Sequence, residues 1–312
     1  MSDEVLLEVK HLTTRFPVKG GFFRRTVANV HAVEDISFTI NKGRTLSLVG
    51  ESGCGKSTAG RSLLRLVEPQ SGEVHLDGKD IMALGSNDLR AARLDMQMIF
   101  QDPFASLNPQ MNLMSQVAEP LQNYGVAKGQ ELQDRIAALF DRVELPRSFL
   151  RRFPHELSGG QRQRVAIARA LALNPKLIVA DEAVSALDVS VQAQVLNLMM
   201  ELQAELELSY LFISHDMAVV ERVSHDVGVM YLGRIMERGP VRNVLRNPAH
   251  AYTRGLLNAL PNLEDLDAPL MPIPGDIPSP LERPSGCVFH PRNAELAPGS
   301  RYETEVPPMT EV

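Results

Sequence analysis

The sequence has few cysteines, no apolar run long enough to cross a bilayer and no excess of positive charge. Its 312 residues include two cysteines, Cys54 and Cys287, which lie in very different sequence contexts. So few thiols in a chain of this size are typical of a reducing compartment, and the cytoplasm is the expectation. A bilayer-spanning helix needs about 20 consecutive apolar residues, and residues 1–10 lack the basic and apolar regions of a secretion signal. Any role at a membrane is therefore expected to depend on partner proteins.

The charge balance argues against general binding to polyanions. Lys and Arg number 32 against 38 Asp and Glu, which gives a formal net charge of −6. Proteins that attract bulk phosphate cluster Lys and Arg on one surface. Phosphate binding is therefore expected to be local, and no nucleic-acid partner is predicted.

Hydrophobic periodicity predicts an α/β protein. An antiparallel β flap is expected first, with strands at residues 5–9 and 36–40 around a loop at 20–25. A strand at 44–49 leads through a glycine-rich turn into a helix at 56–67. The later predicted elements are helices at 131–143 and 161–173, a strand at 177–180, a helix at 190–207, a strand at 210–214, a helix at 217–224 and a strand at 227–231. This alternation indicates a largely parallel sheet covered by helices.

The predicted division is a main domain over residues 1–260 and a C-terminal extension over 261–312. A helical subdomain is expected to be inserted in the main domain at about 101–172. About half of the 21 prolines fall in the last sixth of the chain. This composition predicts an extended, loosely packed tail.

A phosphate-binding loop is predicted between a strand and a helix. Residues 50–58 fit G-x-x-x-x-G-K-[ST] in the context that this motif requires. Glycines let successive backbone N–H groups face a phosphate, Lys56 reaches the β and γ phosphates of ATP or GTP, and Ser57 can hold Mg²⁺. A glycine-rich turn before an ordinary helix is the alternative. The candidate nucleotide-binding residues of this loop are Gly50, Glu51, Ser52, Gly53, Cys54, Gly55, Lys56, Ser57 and Thr58.

Two acidic residues follow a buried strand. Asp181 and Glu182 end the apolar run 177–180, and carboxylates at the carboxyl end of a parallel strand face the ligand crevice. Asp181 is predicted to hold Mg²⁺, and Glu182 to polarise the attacking water. The alternative is that one or both acids cap the following helix.

A second helix start has the features of an anion site. Leu157-Ser158-Gly159-Gly160-Gln161 precedes a predicted helix and exposes a hydroxyl and glycine N–H groups. Read alone, the segment would be a serine N-cap followed by flexible glycines.

With these motifs in order, the chain resembles the ATP-binding cassette (ABC) ATPases. The resemblance covers nearly the whole sequence, and the fold it implies is an ABC-type P-loop ATPase core with an antiparallel β flap, an inserted helical subdomain and a proline-rich C-terminal extension. The motifs are Walker A at 50–58, the Q-loop glutamine Gln101, the signature at 157–161, Walker B at 177–181, the base Glu182, the D-loop at 185–188 and the switch histidine His215.

The resemblance implies a head-to-tail dimer in which ATP, held by Walker A of one cassette, meets the signature of the other. It assigns catalysis to Glu182, His215 and Gln101, and Mg²⁺ to Ser57, Gln101 and Asp181. Ser158 and Gly160 would contact the γ phosphate across the interface. Phe16 is the candidate for stacking on adenine, with Phe22 and Phe23 as competitors. Gly159, Gln161 and Asp188 complete the candidate nucleotide-binding set.

Three further segments resemble the dipeptide, oligopeptide and glutathione importers. They lie at 101–109, 249–257 and 273–280. The implied protein energises peptide import from the cytoplasmic face of the bacterial inner membrane, with two integral membrane permeases, a second ABC ATPase and, indirectly, a periplasmic binding protein. The second ATPase is expected to be a different chain, with a second copy as the alternative. Nickel importers share much of this pattern, and a soluble cassette acting on DNA or ribosomes is a more distant alternative.

One departure from the importer pattern concerns an iron–sulfur cluster. Many members follow Gly-Cys-x-Phe-x-Pro-Arg with further cysteines that hold the cluster. Here Cys287 is followed by Asn293 at the next ligand position, and no later cysteine exists. One thiolate cannot hold the cluster, so none is expected.

Overall fold

The computed structural model describes residues 4–20, 25–259 and 273–311. They form two compact units, the first made of 4–6, 40–45 and 83–214, the second of 7–20, 25–39, 46–82, 215–259 and 273–311. Phe22, Phe23 and the predicted domain boundary at 260–261 lie outside the described residues.

Ten strands and ten α-helices occur in the described ranges. The strands are β1 (Val5–Gly20), β2 (Arg25–Asn41), β3 (Thr45–Val49), β4 (Ser71–Leu76), β5 (Lys79–Asp80), β6 (Met96–Ile99), β7 (Leu177–Asp181), β8 (Ser209–Ile213), β9 (Asp226–Tyr231) and β10 (Arg234–Pro240). The helices are α1 (Lys56–Leu63), α2 (Ser86–Ala92), α3 (Pro103–Ser106), α4 (Leu113–Asn123), α5 (Gly129–Arg142), α6 (Gly159–Leu171), α7 (Val189–Leu206), α8 (Met217–Val223), α9 (Val241–Arg246) and α10 (Ala251–Asn258).

The first unit contains three parallel strands in the order β8-β7-β6. Ile178 of the central strand lies opposite Gln97 on one side and Tyr210 on the other. Every residue of β7 and β8 is buried, as expected for parallel strands covered on both faces, which read as continuous apolar runs. Helices α3 to α6 also belong to this unit.

The second unit contains a four-stranded sheet in the order β2-β1-β4-β5 and the strand group β10-β9-β3. β1 pairs antiparallel with β4, β9 pairs antiparallel with β10, and β3 pairs in parallel with β9. Its core includes Val49 of β3, Val229 of β9, and Tyr252 of α10. The strand β3 thus delivers the 50–58 loop from a buried position.

The predicted elements are present, with two differences in length. Strands β1 and β2 run over 16 and 17 residues, against five predicted for each, because pairing uses backbone hydrogen bonds and continues beyond the apolar alternation. Helix α1 ends at Leu63 rather than at residue 67. A residue with left-handed backbone, Arg65 with φ 48°, follows it and is incompatible with helix.

The expectation of a loosely packed tail is wrong for residues 287–289. Val288 and Phe289 are 1% and 2% exposed, and Cys287 is buried beside them. The Phe289 ring lies 5.3 Å from both Tyr231 and Tyr252 between centroids. Proline density disfavours regular structure, but a few apolar side chains are enough to anchor an irregular segment to a core.

In the described part of the chain, no helix combines the length and apolar character needed to cross a membrane.

Candidate nucleotide-binding site

Two glycines let the 50–58 loop approach neighbouring backbone closely. Gly50 has φ 146°, and a β-carbon there would lie 2.1 Å from the carbonyl oxygen of Met230. Gly55 has φ 107°, and its β-carbon would lie 2.0 Å from the carbonyl oxygen of Ala32. Any side chain at either position would displace the loop, so the two ends of the loop depend on glycine.

Lys56 is a buried residue at the point where the 50–58 loop becomes helix α1. The residue is 4% exposed, and its Nζ donates to the carbonyl oxygens of Gly50 at 2.8 Å and Glu51 at 3.0 Å. Helix α1 begins at Lys56 without a side-chain cap from Gly55. The N–H groups of its first turn are therefore not bonded to a capping side chain, and the positive end of the helix dipole lies at the loop. Ser57 and Thr58, in the first turn, are partly exposed.

Cys54 supports the loop from the interior side. It is 5% exposed, and its carbonyl oxygen accepts from the Gly233 N–H at 2.8 Å. Burial raises the pKa of the Cys54 thiol. The side chain therefore remains a neutral thiol that packs. Ser52 and Gly53 form the exposed tip of the loop.

The two predicted acidic residues differ in their surroundings. Asp181 ends β7 and is completely buried, whereas Glu182 is half-buried. Glu182 has a left-handed backbone with φ 47°. Its N–H donates to the Ile213 carbonyl at 3.0 Å, and its carbonyl accepts from the Ser185 hydroxyl at 3.0 Å. This backbone fixes the direction in which the Glu182 side chain leaves the strand.

The structure brings Gln101 and Glu182 together. The Gln101 side-chain amide donates through Nε2 to Glu182 Oε2 at 2.7 Å, across 81 positions of sequence. Gln101 is exposed. The amide and the carboxylate predicted to act on the same water are thus neighbours at the end of β7.

The signature segment adopts the N-cap geometry that was its alternative interpretation. Ser158 Oγ accepts from the Gln161 N–H at 3.3 Å, and Gln161 Oε1 accepts from the Ser158 N–H at 3.0 Å. This capping box starts α6. A hydroxyl that accepts can still donate its own hydrogen, so the cap is compatible with an anion contact. Gly159 and Ser158 are exposed at this helix start.

Gly160 sets the distance between two helix starts. A β-carbon at Gly160 would lie 2.2 Å from Val191 Cγ1 in the first turn of α7. Asp188 caps α7, since its carboxylate accepts from the Val191 N–H at 3.0 Å and from Ser190 Oγ at 2.7 Å. The Val191 backbone contact, the largest cause, lowers the pKa of Asp188. The exposed Asp188 carboxylate is therefore a helix cap in this structure, and its contact with nucleotide stays a prediction.

Phe16 and His215 are both exposed residues. Phe16 lies on β1 and is 39% exposed. His215 is exposed between β8 and α8. Their roles in adenine and γ-phosphate binding stay predictions.

Sequence reasoning missed two residues that contact the 50–58 loop. The Tyr252 hydroxyl accepts from the Glu51 N–H at 3.0 Å, and Arg292 forms an ion pair with the Glu51 carboxylate at 2.8 Å. Tyr252 lies in the importer-like segment 249–257, and Arg292 ends the Gly-Cys-x-Phe-x-Pro-Arg pattern. Neither contact could be read from the sequence, because the run 286–292 contains His290 and Pro291 and does not have the pattern of a buried segment.

The residues predicted to hold Mg²⁺ have suitable donor chemistry. Ser57, Gln101 and Asp181 offer hydroxyl, amide and carboxylate oxygens, the hard donors that Mg²⁺ prefers. No group of three or more His, Cys, Asp or Glu side chains is arranged to hold a metal in the residues described by the structure. Binding of Mg²⁺ by these residues stays a prediction.

Comparison with known proteins decides the family. The family described as "ABC transporter" matches residues 33–185, and the one described as "Oligopeptide/dipeptide transporter, C-terminal region" matches residues 236–295. The chain is 51% identical over 310 residues to "Probable peptide ABC transporter ATP-binding protein y4tS" of Sinorhizobium fredii, covering 99% of this chain and 87% of the relative. The chain belongs to the ABC transporter ATP-binding proteins. It is therefore an ABC ATPase.

Other relatives extend the same pattern. This ABC ATPase is 50% identical over 295 residues to "Oligopeptide transport ATP-binding protein AppF" of Bacillus subtilis, covering 93% of this chain and 90% of AppF. It is 57% identical over 258 residues to "Glutathione import ATP-binding protein GsiA" of Pectobacterium atrosepticum. That match covers 83% of this chain but 41% of GsiA.

Solved structures confirm the predicted cassette fold. The dimeric ABC cassette MJ0796 bound to ADP and Pi matches with a TM-score of 0.67 and 30% identity over 76% of this ABC ATPase and 99% of that chain. CbiO1 of Clostridium perfringens, part of the transporter complex CbiONQ, matches with the same TM-score and 26% identity over 78% of this chain and 92% of that one.

Proposed function

We propose that this ABC ATPase hydrolyses ATP to energise import of peptides, di- or oligopeptides or glutathione, across the bacterial inner membrane. The match of residues 236–295 to the oligopeptide and dipeptide transporter C-terminal region supports this cargo class. The names of relatives similar over most of this chain agree with it. The protein acts peripherally at the cytoplasmic face, with two membrane permeases, a second ABC ATPase and, indirectly, a periplasmic binding protein.

The proposed binding step uses the 50–58 loop. Backbone N–H groups of the loop and of the first turn of α1 bind the phosphates, because α1 begins without a side-chain cap and a helix N-terminus attracts anions. Lys56 exchanges its contacts with the Gly50 and Glu51 carbonyls for phosphate oxygens. The exposed Phe16 ring stacks on adenine. Closure against Ser158 and Gly160 of a second cassette completes the site, and that cassette is a different chain or a second copy.

The proposed chemical step centres on Glu182. Its carboxylate accepts a hydrogen bond from the attacking water and polarises it, while Gln101, already bonded to Glu182, orients the same water. His215 stabilises the γ phosphate. Mg²⁺, held through Ser57, Asp181 and Gln101, would neutralise charge that develops on the phosphates. The hydrogen bond of 2.7 Å between Gln101 and Glu182 is the observation that carries this assignment.

Replacement of the carboxylate tests the chemical step. Glu182→Gln should leave ATP binding intact and reduce turnover by at least about 100-fold, because it removes a general base that contributes 10²–10⁴-fold. Glu131→Gln is the matched control, since Glu131 is exposed on α5 and pairs with the exposed Arg135. Turnover of Glu182→Gln equal to that of the control would remove Glu182 from its role.

A transport assay tests the cargo. The ATPase, co-purified with its permeases and reconstituted in vesicles with binding protein, should accumulate labelled di- or oligopeptide or glutathione when ATP is supplied. Nickel uptake instead would favour the importer class that shares this sequence pattern.

A further inference from the structure

The C-terminal extension reaches the 50–58 loop through one buried arginine. Arg292 is 6% exposed, and its guanidinium meets the Glu51 carboxylate at two points, Nη1 to Oε2 at 2.8 Å and Nη2 to Oε1 at 3.2 Å. Such paired contacts fix both orientation and distance, which a lysine cannot do.

The guanidinium is itself held in place. Its Nε donates to the Pro274 carbonyl at 3.0 Å, and Nη2 donates to the Ile273 carbonyl at 3.3 Å. Both acceptors also belong to the C-terminal extension. Arg292 is therefore oriented by its own segment before it contacts Glu51.

A second group holds the Glu51 backbone. The Tyr252 hydroxyl accepts from the Glu51 N–H at 3.0 Å, and the Tyr252 ring is completely buried with its centroid 4.7 Å from that of Tyr231 and 5.3 Å from that of Phe289. Burial raises the pKa of Tyr252, so the hydroxyl stays neutral. The Glu51 carbonyl in turn accepts from Lys56 Nζ at 3.0 Å.

The charge of Glu51 explains why this arrangement matters for ATP. A carboxylate within a loop that binds a triphosphate repels its ligand, and the repulsion is strong where solvent is excluded. The Glu51 side chain is 23% exposed and that of Arg292 is 5% exposed. Arg292 therefore cancels the unfavourable charge and fixes the residue that bears it.

We propose that Arg292 of the C-terminal extension and Tyr252 of α10 are positioning residues of the nucleotide site, which together hold Glu51 and set the affinity of the 50–58 loop for ATP. Binding free energies are reciprocal, so bound nucleotide stabilises the packing of residues 287–292. The inference rests on the proposal that residues 50–58 bind nucleotide.

A double-mutant cycle tests the proposal in the full chain, with a fluorescent ATP analogue as the probe. Arg292→Gln should weaken binding by about 5- to 150-fold, the usual range of coupling between sites. Glu51→Gln/Arg292→Gln should bind more tightly than Arg292→Gln alone, because the uncompensated carboxylate is gone. If Arg292 only packs the extension, the double variant should bind ATP no more tightly than Arg292→Gln. That result would overturn the proposal.

Two conservative substitutions test the proposal if Arg292→Gln does not fold. Arg292→Lys should bind ATP between wild type and Arg292→Gln, and Tyr252→Phe should weaken binding severalfold while keeping the ring contacts. Affinity unchanged in both would contradict the positioning role. Arg254→Gln is the matched control and should bind like wild type, since its ion pair with Glu295 lies in the same region but is exposed.

Lys56→Ala separates the two levels of the argument. Loss of binding in Lys56→Ala together with wild-type affinity in the Arg292 and Tyr252 variants would refute the positioning role alone. Retained binding in Lys56→Ala would refute both that role and the assignment of the loop.

Discussion

Gly55→Ala perturbs the 50–58 loop at the point where it passes closest to neighbouring backbone. Alanine with φ near 107° has a left-handed backbone, which costs about 1–2 kcal/mol. Its β-carbon would also lie 2.0 Å from the Ala32 carbonyl oxygen, whereas real β-carbons essentially never approach another atom within 3.0 Å. The two backbones must separate by about 1 Å, and a displacement of that size at a positioning group costs on the order of 100-fold. We expect ATP affinity to fall by that factor.

Gly53→Ala is the matched control for this prediction. Gly53 also has a left-handed backbone, with φ 78°, but a β-carbon there meets nothing within 4 Å. It should weaken binding by less than about tenfold, from backbone strain alone. Titration with a fluorescent ATP analogue compares the two, and thermal denaturation checks that both are folded. Equal affinities of Gly55→Ala and Gly53→Ala would refute the reasoning from the close approach.

Three further predictions concern the signature helix, the cap of α7 and the extension. Ser158→Ala should lower the free energy of unfolding by about 1 kcal/mol in denaturant titration, because it removes an N-cap; an unchanged midpoint would contradict the capping geometry. Because the pKa of Asp188 is lowered, its contribution to the stability of the fold is complete above the ordinary pKa of 3.8 and is lost as pH falls through the lowered pKa. Asp188→Asn lacks this contribution and should therefore lose less thermal stability than wild type between pH 5 and pH 3. Purified protein should be colourless without stoichiometric iron, because Cys287 alone cannot hold a cluster; a brown preparation with several irons per chain would contradict this.

Local motifs carried most of the predictable information. The loop pattern at 50–58 predicts its strand, turn and helix because each residue acts on its sequence neighbours, and the carboxylates of Asp181 and Glu182 follow from a buried strand that ends there. The family resemblance then supplied the fold, and the comparisons confirm it. Strand lengths were underestimated because backbone pairing in β1 and β2 leaves no apolar pattern at the exposed end.

The contact between Arg292 and Glu51 could not be predicted in the same way. The two residues are 241 positions apart, and no single-sequence pattern links such distant side chains. The proline content predicts a loosely packed tail, yet Val288 and Phe289 are buried in the core of the second unit. Composition averages over a segment, whereas packing depends on a few side chains and their partners.

The claim on which this account depends is that ATP is bound between two cassettes, by the 50–58 loop of one and Ser158 and Gly160 of the other. The most direct measurement is the mass of Glu182→Gln by analytical ultracentrifugation, alone and with its sister ATPase, in ATP and Mg²⁺ against ADP. The account predicts a nucleotide-bound dimer in ATP and Mg²⁺ and a monomer in ADP. The Ser158→Arg substitution should abolish the dimer. A Glu182→Gln protein that binds ATP but stays monomeric, both alone and with its sister ATPase, would contradict the account.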